Sequence, residues 1–174
     1  MKLYFILLLL STFKLYGQAP IDTKFYLDNK QVSKASKDFY NGKFKASDDT
    51  NTFSILDSLR TKNNWTRPFY IYLISTMFKK ADGALSEELG NTCKEFAEHH
   101  PDNLIDFLYS NSKLVDKRFI NNWAKAIAGE FMIACEGQER RCIKKSLQTA
   151  LTKTKPVNKF KVKQFYWKME SYTH

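Results

Sequence analysis

Residues 119–131, FINNWAKAIAGEF, contain the most regular pattern in this chain of 174 residues. A large apolar residue recurs at every fourth position, at Phe119, Trp123, Ile127 and Phe131. This spacing is typical of the face that an α-helix packs against a core. The pattern therefore predicts one long amphipathic helix over residues 115–135, with Trp123 as its central anchor.

Similar spacings on both sides of this segment predict further helices. Their apolar positions fall within residues 51–62, 69–78, 85–100, 104–108, 143–151 and 162–169. The second of these is apolar on nearly every side, as in a helix enclosed by its neighbours, and the short connections favour antiparallel packing. With only 6 Gly and 4 Pro, the composition argues against a turn-rich all-β fold. We expect an all-α domain over residues 51–174, a compact bundle or array of about six to seven antiparallel amphipathic helices.

The segment 20–50 has no single interpretation. Residues 24–27, Lys-Phe-Tyr-Leu, fit either a short strand of a β hairpin or the approach to a helix. Asn41-Gly42 ends whatever precedes it, and the polar residues 47–50 can cap the next helix.

Residues 1–17 have the features of a cleaved signal peptide. Lys2 precedes an unbroken apolar run over residues 3–10, which is too short to cross a bilayer. The small residues Gly17 and Ala19 predict cleavage after residue 17 or 19. The alternative is an apolar N-terminal core helix. If the segment is a signal peptide, the protein is secreted or periplasmic, and no later stretch predicts a transmembrane segment in the mature chain.

The chain is basic, with 28 Lys and Arg against 18 Asp and Glu, a formal charge of +10. Cleavage after residue 17 would remove Lys2 and Lys14 and no acidic residue, so the mature charge would be +8. Such a balance favours acidic partners, and export makes nucleic acid the least favoured of them.

Export also exposes the three cysteines to an oxidising environment. Cys135 and Cys142 flank a polar stretch with a glycine, so we predict a disulfide across a turn. A metal site is the alternative, although the chain has no CxxC motif and no histidine nearby. Cys93 lies on the apolar stripe of its helix, which favours a buried, inert thiol over a nucleophile.

One cluster has residue types suited to catalysis. Glu95 and His99 lie four residues apart on one helix face, and His100 follows. This face could hold a divalent metal, or Glu95 could orient His99 as a base; the alternative is a solvated face at a helix C-terminus. The chain has no HExxH, GxSxG or glycine-rich phosphate loop, and no metal or cofactor is predicted.

The C-terminal stretch from residue 153 to 168 contains lysines interleaved with aromatic residues and no acidic residue. The candidate binding residues in it are Lys159, Lys161, Lys163, Lys168 and Trp167. Such a pattern suits contact with a polyanion. In the alternative interpretation, the helix docks on the core through its aromatic residues and leaves a solvated lysine face.

Two classes of function follow. The first is an exported, non-enzymatic binding module for a protein partner or an anionic surface, of which inhibitors and immunity-type proteins are examples. The second is a small secreted hydrolase, either metal-dependent or based on Glu95, His99 and His100. The absence of a catalytic motif favours the binding module.

Overall fold

The computed structural model describes residues 22–61, 63–81 and 83–173, and the predicted signal peptide lies outside these ranges. Within them the protein is all-α and has no strand. The helices are α1 (Thr23–Asp28), α2 (Lys34–Tyr40), α3 (Thr50–Ser58), α4 (Arg67–Met77), α5 (Gly83–His99), α6 (Pro101–Leu108), α7 (Phe119–Ala134), α8 (Glu139–Lys153) and α9 (Lys159–Glu170). A 3₁₀ turn, Pro156–Asn158, precedes α9. The all-α prediction is confirmed, with more helices than expected.

The two additional helices, α1 and α2, lie in the ambiguous segment 20–50, and its described residues contain no β hairpin. Short side chains cap both helices: the Asp22 carboxylate accepts the backbone N–H of Lys24 at 2.9 Å, and the Ser33 hydroxyl accepts that of Ser36 at 3.1 Å. Asp49 caps α3 in the same way through the N–H of Thr52, at 2.8 Å. These bonds satisfy amide groups that the first turn of a helix leaves without partners.

One continuous apolar core joins the helices, including α1 to α3. Most of α4 is buried, as expected from its composition, and α7 places Trp123 at the centre of the core with no exposed surface. The Trp123 indole N–H donates to the Ser75 hydroxyl of α4 at 2.8 Å. The helix α7 begins at Phe119, four residues later than predicted, and Asp116 and Arg118 form an ion pair within the preceding turn.

The helices α5 and α7 pack closely where Gly90 faces the backbone of α7. A Cβ atom at Gly90 would lie 3.1 Å from the carbonyl oxygen of Ala126. The same crossing carries the ion pair of Lys94 and Glu130, at 3.4 Å. The absence of a side chain at Gly90 therefore permits this close approach.

The predicted disulfide between Cys135 and Cys142 is present and spans the turn from α7 to α8. Gly137 has a φ of +75° within this turn, a conformation that favours glycine. Cys93 is free and fully buried in α5, and burial raises the pKa of its thiol well above the usual value. Its environment is that of a structural thiol.

Candidate functional site

The helix α9 has two faces of different character. Its inner face packs on the core through Val162, Phe165, Tyr166 and Met169. The hydroxyl groups of Tyr166 and Ser146 are 3.0 Å apart, and burial raises the pKa of Tyr166. This face matches the core-docking interpretation of the C-terminal stretch.

The outer face of α9 exposes aromatic side chains. Phe160 is 62% exposed and Trp167 is 56% exposed. They are seven residues apart, so they lie on one side of the helix and about 10 Å apart along its axis. Val157, in the 3₁₀ turn before α9, is 80% exposed. The aromatic residues of the stretch are thus divided between the core and the outer face.

Lysines flank this aromatic pair on both sides. At 100° per residue, Lys159 and Lys163 fall on one flank of Phe160 and Trp167, and Lys161 and Lys168 fall on the other. Lys159 and Lys163 are exposed and form no ion pair with any described residue. The Lys161 ammonium lies 5.7 Å from the centre of the Tyr109 ring. We call Phe160, Trp167 and these four lysines the α9 surface.

The candidate catalytic residues do not form the pair that their spacing suggested. The Glu95 carboxylate pairs with Nη2 of Arg60 at 2.9 Å. Nδ1 of His99 is instead hydrogen-bonded to Nζ of Lys153 on α8. In the described ranges, no three His, Cys, Asp or Glu side chains are arranged to hold a metal ion.

His99 and His100 line a pocket of about 360 Å³ where α5 ends and α6 begins. Its lining includes Asn64, Arg67, His99, His100, Asn103 and Lys153, and we call it the His100 pocket. Burial lowers the pKa of His100 to about 4, and the positive charges of Arg67, His99 and Lys153 contribute. His100 is therefore neutral at pH 7.

The depressed pKa of His100 makes the protein less stable in mild acid. An unfolded histidine titrates near pH 6.5. Between about pH 6.5 and 4 the unfolded chain binds a proton that folded His100 does not, so stability falls as the pH falls. We expect His100→Gln to reduce this loss by about 1–2 kcal/mol, a figure lowered for the partial exposure of the ring.

Urea unfolding of both proteins at pH 7.5 and pH 4 measures this effect. Carboxylates titrate in both proteins, so their contribution largely cancels in the difference. Equal losses of stability in the wild type and His100→Gln would contradict the assignment.

Sequence reasoning did not single out Arg67 and Lys153 of the His100 pocket. Lys153 lies at the edge of the C-terminal lysine stretch and was not among its candidate residues. Arg67 opens an otherwise apolar helix, and an arginine is rarely buried without a partner. The position of Arg67 in the sequence could therefore have indicated a functional residue. Its hydrogen bond to Asn103, 36 residues away, depends on the fold and could not be predicted.

A larger cavity of about 840 Å³ lies between α5 and α7. Its lining includes Leu89, Gly90 and Ala126, together with Ile133, which is 69% exposed. We call it the α5–α7 groove. It is the main apolar alternative to the α9 surface.

The comparisons found no match to this chain among protein-family models, curated proteins or solved structures. In the part of the chain that the structure describes, no helix has both the length and the hydrophobicity needed to cross a membrane.

Proposed function

We propose that this protein is an exported, non-enzymatic binding module that attaches to an anionic lipid surface through the α9 surface. The observation that carries the proposal is the outward exposure of Phe160 and Trp167 between two flanks of lysine. The predicted signal peptide supports export, and the basic charge supports an acidic partner.

The physical basis is that of an interfacial helix. Aromatic side chains bury apolar area at the boundary between headgroups and acyl chains, and lysines extend their ammonium groups to anionic headgroups. Each lysine near such a surface contributes about 1 kcal/mol. A plane of headgroups can contact both lysine flanks at once, which favours a lipid surface over a small acidic epitope.

The enzyme alternative has less support. Glu95 is paired with Arg60, and His99 contacts a lysine, whereas a general base is ordinarily oriented by an acid or a carbonyl group. We therefore place the function on α9 and not on the Glu95 and His99 face.

Sedimentation with vesicles tests the proposal. We expect the protein to bind vesicles that contain phosphatidylglycerol, but not vesicles of phosphatidylcholine alone. The double variant Lys159→Glu and Lys163→Glu should weaken binding by about tenfold or more. Added salt should weaken it as well, because ions screen exposed charges over about 8 Å at physiological ionic strength.

The matched control is Lys144→Glu with Lys145→Glu, which makes the same change of charge on exposed positions of α8. It should bind vesicles more tightly than the α9 variant. Equal losses in the two variants would mean that net charge, and not the α9 surface, carries the attraction.

Three other outcomes overturn the proposal, and each points to an alternative. Capture of an acidic protein without vesicle binding assigns the α9 surface to a protein partner. Binding that is insensitive to salt moves the site to the α5–α7 groove. Hydrolytic activity that His99→Ala abolishes, with folding unchanged, favours the enzyme.

A further inference from the structure

Arg67 is a buried cation without a carboxylate partner in the described ranges. Arg67 is only 4% exposed, and no ion pair there includes it. Its guanidinium donates to neutral oxygens: the side-chain oxygens of Asn64 and Asn103, the latter at 2.9 Å, and the backbone oxygen of Thr61. Burial without a counter-charge lowers the pKa of Arg67. Proteins seldom bury an arginine in this way unless an anion compensates it.

The guanidinium of Arg67 also has N–H groups that donate no hydrogen bond to a described residue. Nε is buried and has no hydrogen-bond partner among the described residues. Nη1 donates twice and Nη2 donates once, so within those residues the Nε–H and one N–H of Nη2 have no acceptor. Two parallel N–H groups of a guanidinium form the fork that holds an oxyanion.

The other groups around the His100 pocket are also suited to an anion. Lys153 supplies a second positive charge, and its ammonium contacts His99. The one carboxylate of the lining, Asp102, accepts the backbone N–H of Lys155 at 3.1 Å and the side-chain amide of Asn158 at 2.8 Å. Asp102 keeps its negative charge, and the two cationic side chains of the lining, Arg67 and Lys153, outnumber it.

The first turn of α6 adds backbone donors to this pocket. Pro101 occupies the first position, and the N-cap residue His100 forms no side-chain cap. The N–H groups of Asp102 and Asn103 consequently lack the partners that a capping side chain provides. Such groups at a helix N-terminus attract anions.

We propose that the His100 pocket binds a phosphate group, with Arg67 as its fork, Lys153 as a second charge and the first turn of α6 as a source of N–H donors. At about 360 Å³ the pocket has room for an organic substituent as well as the phosphate. The ligand class is therefore a phosphomonoester, and inorganic phosphate is its simplest probe. This site is separate from the α9 surface, so each proposal stands or fails by its own test.

The test follows the side-chain Nε–H resonance of Arg67 by NMR during a titration with inorganic phosphate at constant ionic strength. The resonance is assigned by its loss in Arg67→Lys. We expect it to shift and saturate with phosphate but not with acetate or chloride. Lys153→Gln should raise the apparent Kd by about fivefold or more.

Lys145→Gln is the matched control, since it removes one exposed charge from the same helix away from the pocket. Its Kd should stay within about twofold of the wild type. If Arg67→Lys does not fold, the comparison of Lys153→Gln with Lys145→Gln still tests the site, because only the first of these substitutions should weaken the saturable response to phosphate. An unchanged resonance, an equal response to acetate, or equal effects of the two lysine variants would overturn the proposal.

A lipid headgroup could supply the same phosphate chemistry as a soluble molecule. Glycerol 3-phosphate and vesicles of phosphatidic acid distinguish the two sources. A shift of the Arg67 resonance with glycerol 3-phosphate, reduced in Lys153→Gln, identifies a soluble ligand. A shift with the vesicles alone, equally reduced in Lys153→Gln, identifies a headgroup. Both results support the pocket as a phosphate site, and a response to neither would overturn it.

Discussion

Replacing Trp123 by Ala is expected to lower the free energy of unfolding by about 3–5 kcal/mol. The Trp123 side chain is fully buried and contacts the rings of Phe78 and Phe96, with ring centres 5.9 and 6.2 Å away. Its removal leaves a large cavity where α4, α5 and α7 meet. The Ser75 hydroxyl keeps its bond to the carbonyl oxygen of Ile71, so lost packing dominates the effect. Urea unfolding at pH 7.5 measures the change.

Trp167→Ala is the matched control for this prediction. It makes the same chemical change on the outer face of α9, where the side chain is 56% exposed. We expect a loss within about 0.5 kcal/mol, as is usual for surface substitutions. A loss below about 1 kcal/mol for Trp123→Ala would contradict the central position of this residue.

Removing the disulfide, by Cys135→Ser with Cys142→Ser, is expected to destabilise the protein by about 2–3 kcal/mol. The bond closes a loop of eight residues between α7 and α8. In the chain-entropy model, most of the effect comes from the greater freedom of the unfolded chain. The free energy of unfolding in urea gives the measurement.

Reduction of the wild type provides an independent check on the same bond. A thiol reductant should lower the stability of the wild type to that of the double variant, and it should leave the double variant unchanged. The double variant retains only Cys93, so a loss on reduction that persists in it would indicate a disulfide between two chains. Peptide mapping without reduction should then reveal Cys93 linked to the Cys93 of a second chain.

The predictable parts of the fold were those with strong local patterns. The four-residue spacing around Trp123 indicated α7, and the apolar run before Phe78 indicated the buried helix α4. The disulfide was predicted because its two cysteines flank a short turn. In each case the decisive residues lie within 13 positions of one another in sequence.

The rest depended on contacts that a linear pattern does not contain. The helices α1 and α2 have six and seven residues, too few for a period to distinguish helix from strand. The pairing of Glu95 with Arg60, and not with His99, joins residues 35 apart. For α9, the helical spacing did predict the inner face that contains Phe165, whereas the degree to which Phe160 and Trp167 are exposed on the outer face depends on the packed structure.

Because Cys93 is buried, the rate at which its thiol reacts with an alkylating reagent reports on the cooperative opening of the protein. The thiol is fully buried in α5, so an alkylating reagent in solution reaches it only when α5 leaves its neighbours. With Cys135 and Cys142 oxidised, the reaction has a single site in the described chain. The dependence of its rate on reagent concentration then yields both the opening rate and the free energy of the opened state. These quantities can be obtained at neutral pH, without denaturant and without any substitution.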